Sequence, residues 1–437
     1  MPLNIERQTK GGKCMKKLVA LALMLMMVLT CSCSFAEDKA PGSVNLSIML
    51  ALGQWTDNFD ELIDAYKAEN PQIGTIEYEF PSSSTYWDLL KSKLASGEMP
   101  DIFGCNYGEQ IGMWSDYMTT LDDLPMAADL SASQREACSV DGGKTIQTMP
   151  IYVEGWGIIY NMRLLKEAGW EKTPETRDEL AQLLADLKAA GIKPFMAHYA
   201  ETSLALTNHI GSVWVTNKSN PLEFFAELKS GKDMDLANDP DLNDLLDYYD
   251  LILQYCNEDY LATDKWTGRN AFYLEEYAME DDEGSWEIPN IMNVNPALAD
   301  YVVQGLQPIS NDAAKNKLQI ATINAGVYKD SKNVDEAKKF LNWLIESDTA
   351  QKWHQEKMGN IPAHTTTVLL DNLSTLGKDV FSYISAGKTH EVMTPWTPDS
   401  VKDSIGEVWS LYVGKQIDRA TFFEMYSQIW KDYAASL

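Results

Sequence analysis

The spacing of apolar residues changes repeatedly between positions 44 and 103, and that alternation constrains the fold more than any other feature of the chain. Val44, Leu46, Ile48 and Leu50 recur every second residue, the period of a strand with one buried face. Phe59, Leu62, Ile63 and Tyr66 follow at helical spacing, with Asp57 or Asn58 as N-cap and Asn70-Pro71 as the stop. Ile76, Tyr78 and Phe80 return to period two. Thr85 and Asp88 open a second helix that carries Leu89, Leu90 and Leu94 to Gly97, and Ile102-Phe103 reads as a short strand. This β-α-β-α-β order predicts a mostly parallel sheet covered by helices, an α/β architecture.

A second series begins after Met149-Pro150. Ile158, Ile159 and Tyr160 read as a buried strand, and Thr173-Pro174 caps a helix with Leu180, Leu183, Leu184 and Leu187 that ends at Gly191. Further helices are predicted at Leu222–Leu228, Leu242–Tyr255 and Val334–Ile345. A length of 437 residues suits two or three lobes. With no Pro/Gly-rich linker between the two series, the chain is expected to cross between lobes more than once.

The first residues set the compartment. Lys16 and Lys17 precede an apolar run from Leu18 to Leu29, then Thr30, Cys31, Ser32, Cys33 and Ser34 turn small and polar. Residues 1–36 therefore read as a secretory signal peptide, too short in its apolar part to span a bilayer, with Met15 an alternative start and cleavage expected after Ala36. Cys31 and Cys33 are candidates for lipidation, although Thr30 is a poor residue before a lipidated cysteine and Cys33 lacks an aliphatic residue three positions upstream. Export to the extracellular space or the cell surface is the expectation. Removing the leader, with five basic residues and one acid, takes the formal charge from −28 to −32. So negative a chain is not expected to bind nucleic acid or anionic lipid, which need Lys/Arg to neutralise phosphate. Cys105, Cys138 and Cys256 are widely spaced and odd in number, which predicts buried thiols.

Catalytic signatures are missing: no GxSxG, GxxxxGK[ST], HExxH or GxGxxG occurs. The five histidines, His198, His209, His354, His364 and His390, show no paired ligand spacing. Glu280-Asp281-Asp282-Glu283 has the residue types to bind calcium, but adjacent like charges are usually a solvated loop or helix end, which is the expectation here. Asp233, Asp235, Asn238, Asp239 and Asp241 match a calcium loop in composition only, lacking its central Gly and final Glu. No metal and no cofactor is expected. Carboxylates are numerous enough that a secreted glycoside hydrolase or lyase remains the alternative, with a surface glycan sensor as a third reading.

What stands out is aromatic residues beside polar ones at strand-to-helix junctions, where open α/β sheets collect ligands. Gly53-Gln54-Trp55-Thr56-Asp57 follows the first strand, and Gly104-Cys105-Asn106-Tyr107-Gly108-Glu109 follows the third. Glu154-Gly155-Trp156, Gly284-Ser285-Trp286-Glu287 and Thr394-Pro395-Trp396-Thr397-Pro398 come later. A sugar presents an apolar C–H face to a flat ring and a rim of hydroxyls to carboxylates and amides, so this pattern points to carbohydrate binding.

Taken in order, several segments resemble the family 1 extracellular solute-binding proteins, the sugar-capturing components of ABC importers. They are Tyr86-Trp87-Asp88-Leu89-Leu90-Lys91 leading to Leu94-Ala95-Ser96-Gly97-Glu98-Met99-Pro100-Asp101-Ile102-Phe103, then Met149-Pro150-Ile151-Tyr152-Val153-Glu154-Gly155-Trp156 running to Asn161. Leu165-Lys166-Glu167-Ala168-Gly169-Trp170, Ala278-Met279 with Gly284-Ser285-Trp286, and Ser331-Lys332-Asn333 with Glu336-Ala337-Lys338-Lys339-Phe340-Leu341 complete the set. The resemblance implies a two-lobed periplasmic-binding-protein-like (type II) fold with a hinge and an interlobe cleft. It places residues 43–152 and 318–350 in lobe 1, and residues 153–317 and 351–437 in lobe 2. By the same resemblance Gln54, Trp55, Asn106, Tyr107, Glu109 and Glu154 contact ligand and Trp286 stacks on it; Trp156 and Trp396 join them from local chemistry, and Trp214 and Glu201 match loosely. The run 280–283 is more acidic than that family's Met-x-x-x-Gly-x-Trp approach. Asp101 is expected in a turn or cap, and Tyr86 and Trp87 in the packing of lobe 1. A monomer that binds carbohydrate, performs no catalysis and hands its ligand to permease subunits is the expectation.

Overall fold

The computed structural model describes residues 39–130, 132–200, 213–363 and 369–437. The leader with Met15, Cys31, Cys33 and Ala36 lies outside the described residues, as do Glu201, His209 and His364.

Among the described residues ten strands form one continuous sheet: β1 (Val44–Met49), β2 (Ile73–Glu79), β3 (Ile102–Gly104), β4 (Met149–Asn161), β5 (Lys193–Met196), β6 (Tyr277–Gly284), β7 (Val302–Gly305), β8 (Leu318–Val327), β9 (Ile361–Pro362) and β10 (Thr389–Glu391). Their main order is β2-β1-β3-β8-β4-β6-β5. β1 pairs in parallel with β2 and β3, and β5 with β6. The sheet is nevertheless mixed rather than mostly parallel, because the central strands β8 and β4 run antiparallel to each other and to their outer neighbours. Sequence periodicity reads each strand's burial but not its direction.

Two large apolar clusters flank this centre. One gathers Val44, Leu46, Phe59, Leu62, Tyr66, Ile146 and Phe340; the other gathers Leu180, Leu184, Leu245, Tyr249, Trp409 and Phe422. The 13-residue β4 belongs to both, with Met149, Ile151 and Tyr152 in the first and Ile158 and Tyr160 in the second. At ~3.3 Å per residue it spans about 40 Å, enough to link two lobes. β8 runs beside it, Tyr152 opposite Ile323 and Trp156 opposite Gln319. This strand pair joins the two clusters.

Beyond residue 350 the chain still packs against the first cluster. Trp353 and Met358 belong to the first cluster. The helix Asp348–Glu356 packs its Trp353 ring 5.1 Å from that of Trp55 and donates from Trp353 Nε1 to the Asn58 carbonyl at 3.1 Å.

Local signals hold with small shifts. The helix Ser83–Ser96 starts two residues before Thr85 and stops at Gly97, whose φ of 74° closes a left-handed C-cap that glycine adopts without strain. The helix Arg177–Ala189 is capped by Thr176, which accepts from the Glu179 amide at 3.2 Å, rather than by Thr173-Pro174. Asp101 accepts from the Ser47 amide at 2.7 Å and from its hydroxyl at 3.0 Å, tying β3 to β1.

Asp239 and Asp241 close on Lys218, and Asp241 also on Lys315, so these acids are consumed in ion pairs. The run 280–283 departs most from expectation: it lies within β6, and Glu280, Asp281 and Glu283 are buried. A hydropathy reading sends four adjacent acids to solvent. Here segments distant in sequence enclose Glu280, Asp281 and Glu283.

Candidate functional site

Period-two alternation puts Tyr152, Glu154 and Trp156 on one face of β4 where it passes between lobes. From the turn after β1, the Gln54 side chain reaches the Tyr152 hydroxyl, which donates to Glu154 Oε1 at 2.8 Å. Burial pushes the Glu154 carboxyl up to about 7, against the Tyr152 hydrogen bond and the positive field of Lys265. An ionised carboxylate is the better acceptor for hydroxyl donors. Affinity for a hydroxyl-rich ligand should therefore rise as pH increases through about 7, while Glu154→Gln flattens the profile; calorimetric titration across that range checks both.

β6 brings in the opposing wall. Its register against β4 sets Gly284 opposite Trp156, Glu283 opposite Gly157 and Asp281 opposite Ile158, so Asp282 has no partner of its own. Met279 and Gly284 are separated by four residues, one more than in Met-x-x-x-Gly-x-Trp, and this bulge absorbs the extra one. Trp286, on the short turn Ser285–Glu287, meets Trp156 edge to face with ring centres 5.4 Å apart. A Cβ on Gly284 would stand 2.0 Å from the Gly155 carbonyl oxygen and 2.4 Å from the Trp286 ring, so the absence of a side chain permits this approach.

The bulge also turns Glu280 and Glu283 to the same face, where residues three apart would otherwise point oppositely. Both meet a buried ionic cluster. Arg269 donates from Nε to Glu283 Oε1 at 2.7 Å, grips Glu283 a second time through Nη2, and reaches Glu287 Oε1 at 2.8 Å. The Tyr273 hydroxyl bonds Glu287, and Trp286 Nε1 donates to Glu283 Oε2 at 3.1 Å. Burial opposes ionisation of Glu283, yet the Arg269 charge holds its carboxyl well below the usual carboxylate range. Glu280, without such a partner, is raised by burial and by the neighbouring Glu283.

A third contact joins the lobes. Tyr107, on the turn after β3, donates from its hydroxyl to the Val392 carbonyl at 2.9 Å, and Glu109 pairs with Lys229. Between them Gly108 lies against the Pro395 backbone: its φ is 73°, and a Cβ there would stand 2.6 Å from the Pro395 oxygen. Met393 and Trp396 pack into the second cluster, so this is a contact across the two lobes.

A match to the profile of bacterial extracellular solute-binding proteins covers residues 61–378, well over half the chain. The chain belongs to this family. A multiple sugar-binding protein of Streptococcus mutans is 23% identical over 317 residues, 67% of this chain and 69% of that protein. Among solved structures, RafE in complex with raffinose superposes with a TM-score of 0.73 at 18% identity, covering 90% of this chain and 100% of that one. A Bacillus licheniformis sugar transporter in complex with stachyose gives a TM-score of 0.69 at 20% identity over 89% and 100%. These matches establish the two-lobed α/β fold. The extracellular solute-binding family is one of exported binding proteins, not enzymes.

Within this solute-binding protein the structure gathers some of the residues singled out by sequence and disperses others. Gln54 and Glu154 meet through Tyr152, and Trp156 meets Trp286. Trp55 is corrected: its ring is fully buried between Phe59, Phe80, Tyr152, Trp353 and His354, and presents no face to a ligand. Tyr107 is likewise fully buried and serves the contact between lobes, and Trp214 is core. Asn106 Oδ1 accepts from the Asn324 amide of β8 at 3.1 Å, pinning its turn to the crossing. Trp396 is half-buried against the second lobe. Sequence reading passed over Tyr152, His198 and Arg269. The acidity of the run against the Met-x-x-x-Gly-x-Trp pattern and the extra residue between Met279 and Gly284 were the signals that it was unusual.

Proposed function

We propose that this protein captures a mono- or oligosaccharide between its lobes and presents the closed form to the permease of an ABC importer. The observation that carries this reading is the half-buried Trp156–Trp286 pair, set beside the Glu154 carboxyl on the crossing strand. Two rings at right angles offer apolar faces to a sugar's C–H surface, and Glu154 with Gln54 offers hydroxyl partners. The sugar-bound relatives support the ligand class. Ligand contacts made only when the lobes meet would favour closure, and no bond need be made or broken.

Small-angle scattering on the protein with and without a saturating glycan tests the closure. A decrease in radius of gyration is expected; an unchanged profile at saturation contradicts the trap. Recovery of the glycan intact after prolonged incubation is expected as well, whereas released products would revive the hydrolase reading.

A further inference from the structure

We propose that His198, Glu280 and Glu283 form a site for a divalent transition-metal ion, best filled by zinc, in the second lobe behind Trp286. His198 Nε2 lies 3.5 Å from Glu280 Oε1 and 3.4 Å from Glu283 Oε1, and the three ligand atoms fall within 4.8 Å of one another. Zinc held at 2.0–2.2 Å by nitrogen and oxygen donors in a tetrahedron sets its ligands about 3.4 Å apart, which matches the two separations from His198. One imidazole and two carboxylates suit zinc better than calcium or magnesium, which favour oxygen ligands alone.

Two independent observations point to an occupant. Glu280 is fully buried, yet among the described residues neither of its carboxylate oxygens has a hydrogen-bond partner. Such groups are ordinarily satisfied in a native interior. The second is charge. Arg269 is the one guanidinium gripping this cluster among the described residues, and it faces the three buried carboxylates of Glu280, Glu283 and Glu287. Three carboxylates share this one guanidinium with the His198 imidazole, and a divalent cation between Glu280 and Glu283 supplies a further positive partner. Lys265, half-buried at the start of the helix Lys265–Tyr273, adds positive field but forms no ion pair with the cluster among the described residues. Since Glu280 and Glu283 expose no surface, a sugar ring has no access to them, whereas an ion needs only the gap between three atoms.

The geometry gives the metal a structural task. Glu283 holds Trp286 Nε1 through its other oxygen, so an ion on Glu283 Oε1 fixes the carboxylate that positions the Trp286 ring. The metal site stands whether or not the ligand between the lobes is a sugar.

The test uses the purified full-length exported protein, stripped with EDTA and then titrated with zinc, with no glycan present. Expected are one tightly held zinc per chain by elemental analysis after desalting and a rise of several degrees in Tm, from linkage of binding to folding. Calcium and magnesium should give neither. Glu280→Gln, which keeps the side-chain shape, and His198→Ala should each weaken zinc retention about tenfold or more. Absence of retained zinc in the unaltered protein overturns the proposal. So does equal retention by the unaltered protein and both variants, which would put the metal elsewhere, for instance on the half-buried Cys256 thiol. If Glu280→Gln raises Tm as much as zinc was expected to, while the unaltered protein binds none, the carboxylate is satisfied by a proton instead and the proposal fails.

Discussion

Gly108→Ala should hold the lobes apart and lower ligand affinity by about a hundredfold, or 2–3 kcal/mol, with a loss of folding stability of no more than ~1–3 kcal/mol. The argument is steric and local. A Cβ at this position would sit 2.6 Å from the Pro395 carbonyl oxygen, 2.8 Å from its carbon and 3.1 Å from the Trp396 nitrogen, all backbone atoms that cannot rotate away. The backbone at φ 73°, ψ −138° is a conformation that a residue with a Cβ adopts only at a cost of ~1–3 kcal/mol. The clash vanishes if the turn separates from the segment 392–396, so the variant relieves it by opening rather than unfolding, while the backbone cost is present in both forms. A binding protein that must close on its ligand then pays that strain out of binding free energy. The check is calorimetric affinity alongside a melting curve. A variant with unchanged affinity would show that this contact is not part of closure.

The second large effect belongs to Arg269. In EDTA-treated protein, Arg269→Ala should cost 3–5 kcal/mol of stability, of the order seen when one partner of a buried ion pair is removed. The guanidinium is almost wholly buried and is bonded to both Glu283 and Glu287, while Glu280 adds a third carboxylate nearby. Deleting the cation strands acids that expose no surface and cannot recruit water. Denaturant unfolding followed by Trp fluorescence should show the loss and a shifted Trp286 environment, since Glu283 holds that indole. A drop below ~1 kcal/mol, the range of an exposed pair, would mean the cluster is hydrated.

How much of this was legible in the sequence follows from what periodicity encodes. The helices Phe59–Glu69 and Val334–Glu346 were readable almost to the residue, because each buries one apolar stripe at helical spacing. Strand direction was not: β4 and β8 are antiparallel through pairings some 170 residues apart, which local pattern does not record. At the site, Gln54, Glu154, Trp156 and Trp286 stood out by residue type, and the fold brings them together in pairs. Trp55 stood out equally and is core, since an aromatic beside polar residues reads the same whether its ring faces a cleft or Trp353. The acidic run misled for the opposite reason. Its burial depends on Arg269 and His198 from other segments, and on one bulge that turns Glu283 to the face of Glu280.

Capture of a sugar by the Trp156–Trp286 pair is tested most directly by isothermal titration of a glycan panel into the unaltered protein, Trp286→Ala and Glu154→Ala. The expected result is saturable heat with at least one neutral mono- or oligosaccharide, weakened more than about tenfold in each variant while melting temperatures stay near that of the parent. The contradicting result is a glycan that binds all three proteins with the same affinity, or a panel in which no glycan gives heat with the unaltered protein.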